Sequence, residues 1–148
     1  MSSDKEQMLK TLKERLEPEL RRRRFTGSFP TYRRFTPHKT DVLSVNFDER
    51  SKSFRIEVAE LPPRDFSAPN GVWVEVTRAT TFDALTSDRA RLTPQPGKSK
   101  YDFIYGSTLF LRSEVRFERA ADSVVSLLPQ ADAWWKGERH QPNVWAGG

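Results

Sequence analysis

The clearest pattern in the chain is an alternation of apolar and polar side chains over residues 41–61. The apolar positions are Leu43, Val45 and Phe47 in a first run, and Phe54, Ile56 and Val58 in a second run. A period of two is typical of strands that bury one face. Because a polar segment at residues 49–52 separates the two runs, the sequence predicts an antiparallel hairpin with this segment as its loop.

The N-terminal segment has a helical spacing of apolar residues, which predicts a helix over residues 3 to about 23. Its apolar stripe consists of Leu9, Leu12, Leu16 and Leu20. Ser3 followed by Glu6 matches a capping box, which satisfies backbone amides at the start of a helix. An internal proline removes one helical hydrogen bond at a cost of about 3 kcal/mol. We therefore expect Pro18 to cause a kink or a break near Glu17.

The rest of the chain contains shorter patterns. Alternation predicts strands over residues 31–36, 72–77, 101–105 and 108–117, the last of which could be partly helical. Helical spacing predicts a helix over residues 120–136 that Pro129 splits in two. Residues 78–100 are predicted to form a long polar connection with a short helix near residues 82–85, and residues 138–148 a flexible tail. Buried positions are expected at Val72, Val74 and Val76 in the sheet and at Val124 and Leu128 in the helix.

Together these elements predict an α+β fold in a single domain over residues 1–137. We expect an antiparallel sheet of about five strands, with the N- and C-terminal helices packed on one face. The length of 148 residues suits one such domain.

Composition adds an uneven distribution of charge. The formal net charge is +5 at pH 7, and residues 1–40 contain eleven Lys or Arg against five Asp or Glu. This N-terminal excess permits contact with nucleic acid, anionic lipid or an acidic protein. The absence of cysteine excludes disulfides and thiolate chemistry. Because neither a signal-peptide pattern nor an apolar run of membrane-spanning length is present, we expect a cytoplasmic protein that does not contact a membrane.

The basic residues of the N-terminal quarter are the first candidate site. They are Arg21, Arg22, Arg23 and Arg24, followed by Arg33, Arg34 and Lys39. Guanidinium groups pair with phosphate or carboxylate through two parallel hydrogen bonds, so these residues could form a patch for a polyanion or for an acidic protein. The alternative is that cations at the end of a helix only complement the helix dipole.

Tryptophans are the second candidate. Trp134 and Trp135 lie near the end of the last predicted helix, where adjacent side chains diverge by about 100°. One of them could be an exposed anchor for a partner while the other packs in the core. Trp73 alternates with valines on a predicted strand, so it either lines a groove or is covered by a second layer.

Catalytic and metal sites have weaker support. His38 and His140 are the only histidines, too few for the usual ligand set of a catalytic zinc, and no phosphate-binding loop or dinucleotide motif is present. We therefore expect no metal and no cofactor. A site assembled from loop residues remains open, and its candidates are Arg64, Asp65, Arg89 and Asp102.

The order of elements resembles a known bacterial family. The similarity rests on a helix that ends in Arg21–Phe25, on Gly27 with Tyr32, Arg33 and Arg34, on the strand end Val45, Asn46 and Phe47, and on Trp134 and Trp135. Over residues 5–137 or so, the chain resembles the uncharacterised family labelled domain of unknown function 4304. The resemblance implies an α+β domain and supplies no catalytic residues.

These observations favour a non-catalytic module that binds another protein or a second copy of the chain. Nucleic-acid binding through the basic N-terminal quarter is the first alternative. An enzyme with a site assembled from loop residues is the second.

Overall fold

A computed structural model describes residues 3–97, 102–106 and 112–146. Its helices are α1 (Asp4–Arg15), α2 (Glu17–Arg22) and α3 (Ser113–Trp135). Its strands are β1 (Thr26–Ser28), β2 (Thr31–Phe35), β3 (Thr40–Asp48), β4 (Ser53–Leu61), β5 (Phe66–Ser67), β6 (Trp73–Val74), β7 (Arg89–Leu92), β8 (Phe103–Ile104) and β9 (Val144–Trp145). Three short 3-10 helices precede β7, at Val76–Arg78, Thr81–Asp83 and Thr86–Asp88. The α+β class is confirmed.

The main sheet is antiparallel and has seven strands within the described residues, rather than about five. The strand order is β1-β2-β3-β4-β7-β9, and β8 pairs with the start of β4. The predicted hairpin is confirmed, because β3 and β4 pair along their whole length with Val45 opposite Ile56 and Phe47 opposite Phe54. Its turn falls at residues 49–52, where the polar segment predicted it.

One face of the sheet and the helices enclose the main core. The sheet contributes Leu43, Val45, Phe54, Ile56 and Val58, and the helices contribute Leu12, Leu16, Leu20, Val124 and Leu128. All of these side chains are buried, as their alternation and helical spacing predict. Met8 is fully buried in α1, whereas Leu9 is half-buried, so the stripe of this helix is shifted by one position at its start.

The other face of the sheet carries a second, smaller apolar cluster. Val42, Ala59 and Leu61 lie on this face and are buried against Ala79 and Ala84 of the segment that contains the 3-10 helices. The prediction of a further sheet strand over residues 72–77 is wrong in part. Only Trp73 and Val74 form a strand, in a separate two-stranded sheet with β5, and Val72 is exposed.

Prolines interrupt the helices unequally. The break expected near Glu17 is confirmed, because α1 ends at Arg15 and α2 begins at Glu17 with Pro18 in its first turn, where a missing amide costs little. The split expected at Pro129 is wrong, because α3 is continuous through this residue. Leu128 and Ala131 are fully buried on either side of Pro129, so core packing holds both halves in line at the cost of one hydrogen bond.

The C-terminal third differs most from the sequence prediction. Residues 113–117, expected in a strand that could be partly helical, form the start of α3, and residues 107–111 lie outside the described part. β7 lies within the predicted polar connection. Residues 138–148 were expected to be a tail, but Val144 and Trp145 pair with β7 and extend the sheet.

Candidate functional site

A groove of about 570 Å³ lies beside the C-terminal end of β4. Its lining comes from the turn between β2 and β3, the end of β4, strand β5 and the last two 3-10 helices. The apolar lining residues are Leu61, Pro62, Phe66, Pro69, Ala84 and Leu85. Its charged or titratable lining residues are His38, Lys39, Glu60, Asp83 and Asp88. Ligand sites usually have volumes of about 300–1,000 Å³ and combine apolar walls with a few polar groups, so this groove is the leading candidate site.

The cation of the groove already has intramolecular partners. Lys39 Nζ lies 2.9 Å from Oε1 of Glu60 and 3.2 Å from Oδ1 of Asp41, and it also donates to the carbonyl of Trp135. Arg139, just outside the lining, contacts the other oxygen of Glu60 at 2.5 Å. Because Lys39 and Arg139 are both paired with carboxylates, they have little positive charge left to attract an anionic ligand.

The two aspartates of the groove are less well compensated. Asp83 caps its own 3-10 helix by accepting the Thr80 amide at 2.8 Å, and it forms no ion pair within the described residues. Among the described residues, Asp88 has one distant ion pair, with Arg139 at 3.9 Å. These carboxylates make the side of the groove formed by the 3-10 helices acidic.

Exposed apolar side chains adjoin the same acidic side. Leu85 lines the groove with 56% of its surface exposed, and Phe82 is 67% exposed. Both also line a neighbouring cavity of about 200 Å³ that includes Pro69 and Asn70. Apolar surface thus extends from the groove across the second 3-10 helix.

Most of the predicted basic site is engaged within the protein. Arg21 contacts Glu17 at 3.0 Å and donates to the carbonyls of Phe25 and Gly27. Arg22 contacts Glu19 in α2. Arg24 is exposed in a left-handed conformation, with φ of 71°.

Arg23 and Arg34 join α2 and β2 to the last helix. The Nε atom of Arg23 lies 2.8 Å from Oδ2 of Asp132 in α3, and Nη1 of Arg34 lies 3.3 Å from Oδ1 of the same residue. Nη2 of Arg34 is 2.8 Å from Oδ2 of the buried Asp41. This ion-pair chain continues through Lys39 and Glu60 to the groove.

Arg33 lies on the other face of β2. Its Nε donates to the carbonyl of Ala79 at 2.7 Å, which ties the first 3-10 helix to the sheet. Burial lowers the pKa of the Arg33 guanidinium, and nearby Asp83 partly opposes this shift. The basic residues that the sequence groups together are therefore divided between two faces of the sheet.

Of the three tryptophans that the sequence suggests as a binding site, two are buried and one is exposed. Trp135 is buried, donates its indole N–H to the carbonyl of Ala59 at 3.0 Å and packs against Phe25. Trp134 is also buried, with the guanidinium of Arg139 3.9 Å from its ring centre. Trp73 is 66% exposed on the small β5–β6 sheet. Of these three, Trp73 alone has a large exposed surface.

The loop residues considered for an enzyme site contact separate partners. Asp65 accepts the amide of Val76, Asp102 contacts Arg55 and Arg91, Arg89 packs on Phe82, and Arg64 is exposed. Within residues 3–97, 102–106 and 112–146, no group of three or more His, Asp or Glu residues could hold a metal ion.

Sequence reasoning missed most of the groove. Its lining residues come from six separate stretches between residues 38 and 88, and no motif links them. The one local signal is the capping box of Thr80 and Asp83, which identifies a helix start but not a pocket.

Comparisons with known proteins add no assignment. No family model matches the chain, and neither a curated protein nor a solved structure shows significant similarity to it. The resemblance to the family labelled domain of unknown function 4304 therefore stays a prediction. Among the described helices, none has the length and apolar character needed to cross a membrane.

Proposed function

We propose that the protein is a non-catalytic binding module that takes a short segment of a partner protein into the groove. The segment carries an apolar side chain next to a lysine or arginine. The observation that supports this proposal most directly is the combination of exposed Leu85 with the poorly compensated Asp83 and Asp88 on one side of the groove.

The excess of carboxylates in the groove favours a partner segment with a positive charge. Three carboxylates line the groove against a single lysine, and that lysine is already paired with Glu60 and Asp41. An incoming cation would therefore find free carboxylate oxygens, whereas an incoming anion would face uncompensated negative charge. An apolar side chain next to that cation would bury Leu85 and Phe66, which gives the contact its hydrophobic part.

The direct test uses an array of short synthetic peptides with a central Leu, Phe or Trp and flanking Lys, Glu or Ser. We expect binding to require both the apolar centre and the basic flank, with dissociation constants in the micromolar range for a small, transient interface. Preference for acidic flanks, or equal binding to all flanks, would refute the proposed chemistry.

Matched variants locate the binding surface, with affinities measured by fluorescence anisotropy. Leu85→Ser removes apolar surface from the groove, and burial of a leucine contributes about 1.5–3 kcal/mol, so we expect affinity to fall about ten-fold or more. Ile104→Ser is the control, because Ile104 is 69% exposed and pairs with the opposite end of β4. Asp88→Asn should reduce the preference for basic flanks without affecting the fold. Equal losses in Leu85→Ser and Ile104→Ser would place the surface elsewhere.

Nucleic-acid binding through the N-terminal quarter stays a prediction. Because Arg21, Arg23 and Arg34 have carboxylate or carbonyl partners within the chain, a phosphate backbone would have to compete with these contacts. This competition would weaken nucleic-acid binding, whereas the carboxylates of the groove have oxygens free for a basic partner.

A further inference from the structure

The second face of the sheet also carries a cluster of arginines, and one of them, Arg89, lines the small cavity next to the groove. Arg89 and Arg91 lie on β7, opposite Ala59 and Glu57 of β4, and Arg55 lies two residues before Glu57 on the same strand. Side chains two residues apart on a strand share a face, so all three arginines lie on one side of the sheet. Together with Glu57, they line a cleft of about 130 Å³.

Aromatic rings stand next to these arginines. Trp145 of β9 lies directly opposite Arg91, whose guanidinium is 5.6 Å from the indole ring centre. The guanidinium of Arg89 is 5.6 Å from the ring centre of Phe82. Both rings also line the cleft. Such stacking holds a guanidinium in place while its N–H groups stay free to donate in the plane of the group.

The positive charge of the cleft is incompletely compensated. Asp102 shares one oxygen between Arg55, at 3.5 Å, and Arg91, at 3.8 Å, which are longer than the distances of a strong ion pair. Arg89 forms no ion pair within the described residues. Burial first, and then the neighbouring charge of Arg55, lower the pKa of Arg91, and the carboxylates of Asp102 and Glu57 partly oppose this shift. The negative charge of a bound anion would offset the repulsion between the two guanidinium groups.

We propose that this cleft binds the phosphate group of a small phosphorylated molecule. Three guanidinium groups offer more N–H donors than the two oxygens of a carboxylate can accept, whereas the oxygens of a phosphate monoester can accept bonds from several of them. The cleft volume equals that of about four water molecules, which suits a single phosphate group better than a polymer. Thr86, also in the lining, has a hydroxyl group that can donate a hydrogen bond.

The test follows the indole N–H signal of Trp145 in proton–nitrogen spectra at constant ionic strength, with Trp145→Phe used to assign it. The probes are inorganic phosphate, phenyl phosphate, acetate and a short single-stranded oligonucleotide. We expect saturable shifts with both phosphates and weaker binding of acetate. Arg89→Gln should weaken phosphate binding about ten-fold or more, as expected for one lost charge-assisted contact.

Two further variants distinguish binding in the cleft from a general effect of positive charge. Arg64→Gln removes an exposed arginine outside the cleft and should leave phosphate binding unchanged. Arg91→Lys keeps the charge but loses the planar fork, and it should weaken binding. Shifts that do not saturate, that persist in Arg89→Gln, or that are matched by acetate would overturn the proposal. Tighter, steeply salt-dependent binding of the oligonucleotide would also overturn it, because the cleft would then belong to a nucleic-acid surface.

Discussion

The ion pair between Arg34 and Asp41 is expected to stabilise the fold measurably. Two guanidinium nitrogens of Arg34 lie 2.8 and 2.9 Å from Oδ2 of Asp41, and the aspartate side chain is 3% exposed. The Arg34 guanidinium also packs against Phe25 and Trp135, with ring centres 4.6 and 5.2 Å away. The carboxylate is thus buried beside a cation that packing holds in place.

The expected magnitude follows from the geometry. Unit charges about 4 Å apart attract by about 4 kcal/mol at an effective dielectric of about 20, and desolvation offsets part of this. The ammonium group of Lys39 lies 3.2 Å from the other oxygen of Asp41, but it does not form a hydrogen bond of good geometry with this oxygen. Arg34 is therefore the main hydrogen-bond partner of the Asp41 carboxylate among these two cations. Removing one partner of a buried pair costs about 3–5 kcal/mol. Because Asp132 still contacts Arg34, we expect Asp41→Asn to cost about 2–3 kcal/mol.

A double-mutant cycle measures the pair itself. Urea unfolding of the native protein, Asp41→Asn, Arg34→Gln and the double variant should give a coupling free energy of about 2 kcal/mol. Arg22→Ala is the control, since this exposed arginine pairs with Glu19 in α2, and such surface pairs contribute about 0.2–1 kcal/mol. A coupling below about 0.5 kcal/mol would refute the reasoning that these basic residues serve the fold.

Three further predictions follow from the same contacts. Ile56→Ala removes a fully buried side chain and should lower the free energy of unfolding by about 2–5 kcal/mol in urea, and a loss below about 1 kcal/mol would contradict the assigned register. Burial and then the hydrogen bond to Glu17 raise the pKa of Tyr32 above its ordinary value of 10.0, so its contribution is full below about pH 10 and falls at higher pH. The stability difference between the native protein and Tyr32→Phe should therefore shrink above about pH 10 in urea melts, and a constant difference would be inconsistent with the shift. In anisotropy titrations from low to physiological salt, labelled DNA and RNA should bind the native protein no better than a variant with Arg21–Arg24 replaced by alanine. Micromolar binding that is steeply salt-dependent and lost in the variant would instead favour the nucleic-acid alternative.

Local patterns predicted the centre of the fold well. The alternation around Val45 and Ile56 was sufficient because each strand buries one face, and the spacing of Leu12, Leu16 and Leu20 was sufficient because α1 and α2 bury one stripe. The period in β7 was also present, since Ala90 and Leu92 are buried between half-exposed arginines. Four alternating residues within a polar region are too weak a signal to predict a strand.

The features that the sequence did not predict depend on contacts between residues far apart in the chain. Val72 and Val76 have the alternation of a strand, but the chain leaves the small β5–β6 sheet after Val74 and begins a 3-10 helix. The partners of the predicted basic residues, such as Asp132 for Arg23 and Asp41 for Arg34, lie in other elements. Because these pairings depend on the tertiary fold, the sequence indicated a cluster of charge but not its neutralisation.

The central claim, that the groove holds a basic and apolar segment, is tested most directly by mapping amide shifts on addition of the strongest array peptide. We predict that the largest shifts fall at Glu60–Leu61, Phe66–Ser67 and residues 83–88, and that Leu85→Ser reduces them. Shifts centred on Ile104 or on Trp145, or shifts unchanged by Leu85→Ser, would contradict the proposed site.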